Sequence, residues 1–320
     1  MEGFEQIIDE LRRTLALLPD KRTGSNTQYS MQDAGLAAFS VFFMQSPSFL
    51  AAQRAMQESK GRSNAGTLFK TGAIPTDNHV RSLLDPVEPK ALFPVYDRIH
   101  AAMRAQGGVL DGFRCVGGTQ LIALDGTWYH SSSKVHCKNC STRQHKNGSI
   151  TYHHSAITPG RSQAIALRPE FIVPQDGAEK QDCEINAAKR WLAANGAFYH
   201  TGNDTLLGDD LYSRQPFCRK VRLHNYHFIF VCKPDSHKHL YEWVDELEPG
   251  AGLHTLTRRA KNKGKWETHT VRYANDVPLV DGPDAPAGKS KTTTRSKPKA
   301  ATSSTTSGTA SSTSVRCSHA

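Results

Sequence analysis

The stretch Thr119-Gln-Leu-Ile-Ala-Leu-Asp-Gly126 is a short apolar run that closes on an acidic residue, Asp125. A second run of the same kind, Thr205-Leu-Leu-Gly-Asp-Asp210, closes on Asp209 and Asp210. Short apolar runs bounded by turn residues are typical of buried strands. Carboxylates that follow two buried strands can meet at one edge of a sheet. The two stretches therefore predict an α/β fold with an acidic site at that edge.

Predicted strands and helices alternate around these two runs. Further strands are predicted at 149–158, 164–173 and 226–232, and helices at 179–195, 214–223 and 238–247. With the runs that end at Asp125 and Asp209, the order up to residue 232 is strand, strand, strand, helix, strand, helix, strand. This order is typical of a ribonuclease-H-like mixed sheet, in which acidic residues follow the first and fourth strands.

Composition and periodicity divide the chain into four parts. Residues 1–108 carry apolar residues at helical spacing and predict an all-helical region that is a candidate for DNA binding. Residues 109–250 hold the predicted ribonuclease-H-like core, and 251–282 alternate like the exposed strands of a β-rich insertion. Residues 283–320 are rich in Ser, Thr and Lys, and their lack of large apolar side chains predicts disorder.

The charge balance favours an acidic partner. The formal net charge is +10, which fits nucleic acid. No stretch approaches the roughly 18 apolar residues of a membrane span, and the N-terminus lacks the layout of a signal peptide. We therefore expect a cytoplasmic bacterial protein with no membrane partner. The chain has seven cysteines, an odd number that favours reduced thiols over a disulfide framework.

Asp125 and Asp209 are the candidate catalytic residues. Carboxylate oxygens suit hard ions such as Mg²⁺ and Mn²⁺, and two-metal phosphoryl transfer needs several carboxylates around ions about 3.5–4 Å apart. Asp210 is the alternative ligand beside Asp209. Asp also favours turns at strand ends, so turn chemistry is the competing explanation for each of these residues.

A cysteine loop is a second candidate metal site. Cys137 and Cys140 have the spacing of zinc ligands, and we take His136 and His145 as the histidines that complete the set. His153 and His154 lie nearby in the sequence. The competing explanation is a reduced thiol pair in a tight turn.

Five ordered motifs resemble the DDE-class transposases of bacterial insertion sequences, specifically the ISNCY-type group. The likeness runs from about Tyr29 to Leu279, and its motifs are Leu124-Asp-Gly-Thr-Trp-Tyr-His-Ser-Ser132, Val135-His-Cys-Lys-Asn-Cys-Ser-Thr-Arg-Gln-His-Lys-Asn-Gly148, Pro169-Glu-Phe-Ile-Val-Pro-Gln-Asp-Gly177, Gly208-Asp-Asp-Leu-Tyr212 and Val231-Cys-Lys-Pro-Asp-Ser-His237. The resemblance implies a ribonuclease-H-like catalytic domain, Mg²⁺ or Mn²⁺, and transposon-end DNA as partner. The family's two aspartates fall on Asp125 and Asp209, because Tyr212 matches its Asp-x-x-Tyr run.

The resemblance also implies a catalytic glutamate on a late helix, after a β-rich insertion. No Trp/Tyr-x-x-Glu pattern follows residue 273, so we expect a C-terminally truncated and inactive copy that could still assemble with a full-length transposase. Two alternatives remain: Glu242 or Glu246 of the predicted helix 238–247 supplies the third carboxylate, or the chain is a non-catalytic DNA-binding regulator of transposition.

Cationic side chains near the predicted site are candidate DNA contacts. They comprise four residues of the cysteine loop and its surroundings and two that follow the strand at 226–232: Lys134, Lys138, Arg143, Lys146, Lys233 and His237. Lys and Arg next to an active site commonly bind the DNA backbone. A solvated basic loop is the competing explanation.

Overall fold

The computed structural model describes residues 2–24, 27–58, 64–71, 74–106, 110–114, 116–161, 165–174, 181–247, 252–262, 265–275, 291–296, 299–300 and 313–319. The chain divides between Val109 and Leu110 into two compact units, and each is described by itself.

The described part of the first unit is helical. Its α-helices are α1 (Glu2–Ala16), α2 (Met31–Phe43), α3 (Phe49–Glu58), α4 (Asn64–Thr67), α5 (Asp77–Leu84) and α6 (Phe93–Ala105). Ile8, Leu11 and Leu15 recur on one side of α1 and pack with Leu36 of α2 and with Phe69 in a buried cluster. The helical spacing of these apolar residues in the sequence is thus explained by their burial against neighbouring helices.

Side chains fix where two of these helices begin. Ser30 accepts a hydrogen bond from the main-chain N–H of Asp33, while the Asp33 carboxylate accepts one from the main-chain N–H of Ser30. This reciprocal pair satisfies two otherwise unpartnered donors at the start of α2. Thr76 caps α5 by accepting a hydrogen bond from the main-chain N–H of His79.

The second unit is mixed α/β. Its strands are β1 (Gln120–Ala123), β2 (Gly126–Ser132), β3 (Ser141–Gln144), β4 (Ile150–Ile157), β5 (Gly160–Arg161), β6 (Ile165–Ala166), β7 (Glu170–Ile172), β8 (Asp204–Gly208), β9 (His227–Cys232), β10 (Leu253–Asn262), β11 (Lys265–Asn275), β12 (Lys291–Ser296), β13 (Lys299–Ala300) and β14 (Thr313–His319). Its α-helices are α7 (Glu184–Tyr199), α8 (Gln215–Leu223) and α9 (Lys238–Glu246).

The principal sheet is mixed and has β9, β8 and β1 side by side. β1 pairs in parallel with β8, and β8 pairs in parallel with β9. On its other side β1 pairs antiparallel with β5, which pairs antiparallel with β6. Because β1, β8 and β9 run the same way, residues that follow these strands lie at one edge of the sheet.

Helices α7, α8 and α9 contribute to the apolar core of this unit. The cluster includes Trp191 and Tyr199 of α7, Phe217 of α8, Leu240 of α9 and Phe230 of β9, each at most 1% exposed. Phe228, Phe230 and Cys232 alternate with less buried residues along β9. In the sequence, the continuous apolar run from Phe228 to Cys232 is typical of a buried strand.

A second sheet is formed by β2, β4, β3 and β7. β4 pairs antiparallel with each of the other three strands. The loop between β2 and β3 contains Cys137 and Cys140. β2 thus connects Asp125, which precedes its first residue, with the cysteine loop, which follows its last residue.

Helix α7 extends beyond its predicted end at Asn195-Gly196 and reaches Tyr199. Asn195 is buried and its side chain accepts a hydrogen bond from Arg168. The carbonyl oxygen of Gly196 accepts a hydrogen bond from the hydroxyl of Tyr226. Tertiary contacts thus stabilise helical geometry at a pair of residues that usually ends a helix.

The C-terminal region also differs from its prediction. β10 and β11 form a long antiparallel ladder at 253–275, within the predicted β-rich segment. In the segment 283–320, predicted to be disordered, β12 pairs with β11, and β14 pairs with β12 and β9. Strand pairing uses main-chain groups, and Thr favours strands, so a segment poor in apolar residues can extend a sheet. The other residues of 283–320 lie outside the described part.

Candidate active site

Asp125 and Asp209 follow neighbouring parallel strands at the same level. Ala123 of β1 is in register with Leu207 of β8, and each aspartate comes two residues later. The main-chain N–H of Leu124 still donates to the carbonyl oxygen of Leu207, at 2.8 Å. Adjacent strands are about 4.8 Å apart, and both aspartates line one groove of about 400 Å³. The two exposed carboxylates thus face a common space.

Glu184 is a third carboxylate at this place, and the sequence reasoning missed it. It is the first residue of α7 and is half-buried. Its Oε1 accepts a hydrogen bond from the hydroxyl of Tyr212 at 2.5 Å, and its carboxylate also accepts one from the main-chain N–H of Gly126. These contacts hold Glu184 between the residues that follow Asp125 and Asp209.

The pKa of Glu184 is affected by the two neighbouring aspartates. Burial raises this pKa above the usual value for a glutamate, and the charges of Asp209 and Asp125 raise it further. The hydrogen bonds from Tyr212 and Gly126 oppose the shift without cancelling it. Like charges disfavour the ionised form of a carboxyl group. A buried carboxyl group whose ionisation is opposed by two neighbouring acids marks a place where a cation would bind favourably.

Tyr212 is buried beneath these acids. Its side chain is fully buried and packs beside Phe217 and Phe230. Burial raises the pKa of Tyr212, and the hydrogen bond to Glu184 raises it further, so the hydroxyl remains protonated as a donor. A Cβ at Gly208 would lie 2.7 Å from the Tyr212 ring, which explains why a glycine precedes Asp209.

Asp210, the alternative metal ligand, is engaged in a different set of contacts. Its Oδ1 accepts hydrogen bonds from the main-chain N–H of Lys233 at 2.6 Å and from the hydroxyl of Ser236 at 2.5 Å. Burial by itself would raise the pKa of Asp210, but these hydrogen bonds and the charges of His237 and Arg214 lower it overall. Asp210 thus ties the loop after β9 to the end of β8, and Asp209 is the residue at the groove.

Glu242 and Glu246 lie exposed on α9. Glu242 hydrogen-bonds with its neighbour His239, at 3.1 Å. The helix instead turns Leu240 and Val244 toward the core. The charges that act on Glu184 are those of Asp209 and Asp125, so the structure brings Glu184, rather than either acid of α9, to the two aspartates.

Most of the candidate DNA contacts are exposed. Lys134, Lys138, Arg143 and Lys146 all lie at the surface of the second sheet and its loops. The guanidinium of Arg143 lies 5.9 Å from the ring centre of Trp128, and the indole of Trp128 is 46% exposed.

The two candidates after β9 differ from each other. Lys233 is exposed, and its main-chain N–H is the group that contacts Asp210. His237 is 7% exposed and lies between the hydroxyls of Ser213 and Ser236, at 3.0 and 2.9 Å. The ring of His237 is thus occupied by contacts inside the protein, and Lys233 is the more accessible of these two candidates.

A second groove connects Glu184 with the exposed indole of Trp128. It has a volume of about 150 Å³, and Gly126, Ser141 and His153 also line it. The ring of His153 stacks on Trp128 with their centres 4.0 Å apart. An aromatic surface with a nearby guanidinium thus leads to one of the three acids.

The cysteine loop forms a group that could hold a metal ion. Its members are Cys137, Cys140 and His154. The two predicted histidine ligands lie elsewhere: Nδ1 of His136 is 3.1 Å from the carbonyl oxygen of Lys134, and Nε2 of His145 is 2.8 Å from the hydroxyl of Thr151. The ligand set predicted with His136 and His145 is thus replaced by one with His154.

A scan against protein-family models and a search of curated proteins found no match to this chain.

Among the described residues, no helix is long and apolar enough to cross a membrane.

Proposed function

We propose that this protein catalyses metal-dependent cleavage and transfer of DNA strands, as a transposase of the DDE class does. The observation that carries the proposal is the convergence of Asp125, Asp209 and Glu184. Two of these acids end parallel strands and line one groove. The third is held beside them by Tyr212 and has its pKa raised by their charges.

The three carboxylates would hold Mg²⁺ or Mn²⁺. The donor set is all oxygen, which suits hard divalent ions, and a bound cation would relieve the repulsion that raises the pKa of Glu184. Such ions activate the attacking oxygen and stabilise the leaving oxygen of a phosphodiester. The chain itself contributes the positions of the three ligands and, through Tyr212 and Gly126, the orientation of Glu184.

The topology supports a ribonuclease-H-like assignment. Along the chain, the strands β1, β5 and β6 of the principal sheet are followed by α7, β8, α8 and β9. The strand predicted at 149–158 corresponds to β4, which belongs to the second sheet together with β7, so the short strands β5 and β6 would take the second and third places of the fold. The acids follow the first and fourth of these strands. β2, β3 and β4 form an additional excursion between β1 and β5.

Glu184 changes the expectation of an incomplete site. The resemblance to DDE transposases places the third acid after the two aspartates, on a late helix. Glu184 instead precedes Asp209 in the sequence and needs no residue beyond α9. We therefore favour a catalytically competent chain over an inactive copy, with an Asp–Glu–Asp order of ligands in the sequence.

DNA is the partner that the exposed charges favour. Lys134, Lys138, Arg143 and Lys146 lie on the sheet that begins directly after Asp125. The exposed Trp128 lines the groove toward Glu184, and the guanidinium of Arg143 lies 5.9 Å from the centre of its ring. Phosphate contacts and base stacking are the usual means by which such surfaces bind nucleic acid. Self-assembly, or assembly with a full-length transposase, is part of the same proposal.

Nicking of supercoiled plasmid DNA in Mn²⁺ or Mg²⁺ tests the proposal. We expect nicking that EDTA abolishes, that Asp125→Asn, Asp209→Asn and Glu184→Gln each reduce by at least about 100-fold, and that Glu242→Gln leaves unchanged. Loss of nicking in Glu242→Gln or Glu246→Gln, with Glu184→Gln active, would assign the third ligand to α9. DNA binding without any nicking would instead favour the non-catalytic regulator.

A further inference from the structure

The cysteine loop carries an arrangement that the proposed strand chemistry does not use. Cys137 and Cys140 lie in the turn after β2, and His154 lies on β4. Cys140 is buried, His154 is half-buried and Cys137 is exposed. Sulfur and imidazole nitrogen are ligands for zinc rather than for Mg²⁺ or Mn²⁺. This group is therefore chemically separate from the three carboxylates.

The three ligand atoms have the spacing of a tetrahedral site. The two Sγ atoms are 3.8 Å apart, and Nε2 of His154 is 3.3 Å from each of them. Zn–S and Zn–N bonds of about 2.3 and 2.0–2.1 Å place tetrahedral ligands about 3.8 Å (S to S) and about 3.6 Å (S to N) apart. The observed separations agree with these values to about 0.3 Å.

Main-chain donors surround the sulfur atoms. The N–H of Cys137 donates to Sγ of Cys140 at 3.3 Å, and the N–H of Asn139 donates to Sγ of Cys137 at 3.4 Å. Such contacts stabilise thiolates and orient them toward a metal. The turn that links the two cysteines is closed by a hydrogen bond from the N–H of Cys140 to the carbonyl oxygen of Cys137.

His130 is placed to supply the fourth ligand. It is the register partner of His154 across the β2–β4 ladder. Directly opposed residues of an antiparallel pair project from the same face, with Cβ atoms about 4.5–5.5 Å apart. The ring centres of His130 and His154 are 5.8 Å apart. Within the described part of the chain, the hydrogen-bond contact of Nε2 of His130 is a long one, at 3.5 Å from the carbonyl oxygen of Val135.

We propose that Cys137, Cys140, His154 and His130 bind one structural zinc ion. The ion would join the loop after β2 to both strands of the β2–β4 ladder. It would thereby fix the main chain that carries the exposed Lys134 and Lys138. This inference does not depend on the proposed strand cleavage, because it rests on a different set of residues.

Cobalt substitution tests the ligand set on the full chain. We expect one zinc ion per chain by elemental analysis of protein grown with zinc, and a cobalt-thiolate charge-transfer band with intense tetrahedral visible bands after exchange with Co²⁺. The charge-transfer band reports sulfur ligands only, so metal at the three carboxylates does not contribute to it. Its intensity should be lost in His154→Ala and in the double variant Cys137→Ser/Cys140→Ser.

Two histidines of the same loop region supply matched controls. His130→Ala should weaken Co²⁺ binding by at least about tenfold, whereas His136→Ala and His145→Ala should leave the affinity unchanged. Circular dichroism of each variant, together with removal and return of metal in the wild-type chain, separates ligand loss from misfolding. Absence of thiolate-bound metal in folded wild-type protein, a thiol count showing a Cys137–Cys140 disulfide, or binding that survives His154→Ala would overturn the zinc site. Wild-type affinity in His130→Ala would overturn the assignment of the fourth ligand.

Discussion

A methyl group added at Gly126 tests whether Glu184 belongs to the carboxylate site. A Cβ at Gly126 would lie 2.3 Å from Oε2 and 2.5 Å from Cδ of Glu184, whereas ordinary contact begins at 3.4 Å. The carboxylate must therefore retreat by about 1 Å, and a displacement of that size at a catalytic centre lowers the rate by about 100-fold. We expect Gly126→Ala to reduce the rate of Mn²⁺-dependent plasmid nicking by this factor.

The change should act through position rather than stability. Gly126 does not have a backbone conformation that favours glycine, and alanine keeps the main-chain N–H that donates to Glu184. Gly112→Ala is the matched control, because among the described residues no heavy atom beyond its chain neighbours lies within 4 Å of a Cβ at Gly112. We expect that variant to nick at the wild-type rate. Mn²⁺ affinity measured by calorimetry should fall in Gly126→Ala and stay constant in Gly112→Ala.

A double-mutant cycle gives the refuting outcome. If the effect of the methyl group passes through Glu184, the pair Gly126→Ala/Glu184→Ala should behave as Glu184→Ala alone, since residues in contact are not additive. Independent, multiplicative losses would mean that Gly126 acts elsewhere. Wild-type nicking and Mn²⁺ affinity in folded Gly126→Ala would show that the orientation of Glu184 is immaterial.

Three further expectations concern single side chains. Tyr212→Phe removes the donor that orients Glu184 and should weaken Mn²⁺ binding by about 10–100-fold, as measured by calorimetry; wild-type affinity would contradict the positioning role. Arg161→Met removes the guanidinium that pairs with the buried Asp204 and should lower the free energy of unfolding by about 3–5 kcal/mol, measured by denaturant titration. The double variant Arg161→Met/Asp204→Leu should recover part of this loss. A loss under about 1 kcal/mol in Arg161→Met would contradict the stabilising role of the ion pair. Glu242→Gln should leave Mn²⁺ affinity unchanged, because this carboxylate is exposed and paired with His239; a clear loss would return α9 to the site.

The sequence was sufficient to locate the two aspartates but not the glutamate. Apolar runs identify β1 and β8, and the expectation that strand ends share an edge brings Asp125 toward Asp209. Glu184 has no comparable local signal, because an acid in the first turn of a helix is common for reasons of helix stability alone. A buried tyrosine hydroxyl usually has a hydrogen-bond partner, so Tyr212 predicts that some polar group lies near it. The fold is needed to identify that group as Glu184.

The histidines of the cysteine loop illustrate a second limit. His153 and His154 are adjacent in β4, so their side chains project from opposite faces of the sheet. His153 stacks on Trp128, and His154 lies beside the sulfur atoms. Spacing along the chain cannot decide between them, since the answer depends on the register of β4 with β2. His136 and His145 are nearer than His154 to the cysteines in the sequence, but their rings contact Lys134 and Thr151 instead.

The ion pair between Arg161 and Asp204 has a consequence for the accuracy of folding. β5 is only two residues long, and its few main-chain bonds to β1 hardly distinguish one alignment from the next. Arg161 donates to Asp204 at 2.9 Å, to Gln120 at 2.7 Å and to the carbonyl oxygen of Tyr199 at 2.8 Å. A slip of one residue would turn the guanidinium of Arg161 to the other face of the sheet. The carboxylate of Asp204, which is 0% exposed, would then lose its ion pair with that guanidinium. β5 is too short to specify its own alignment with β1. The buried charge of Arg161 specifies it, because a misaligned arrangement would lose these contacts and be higher in free energy.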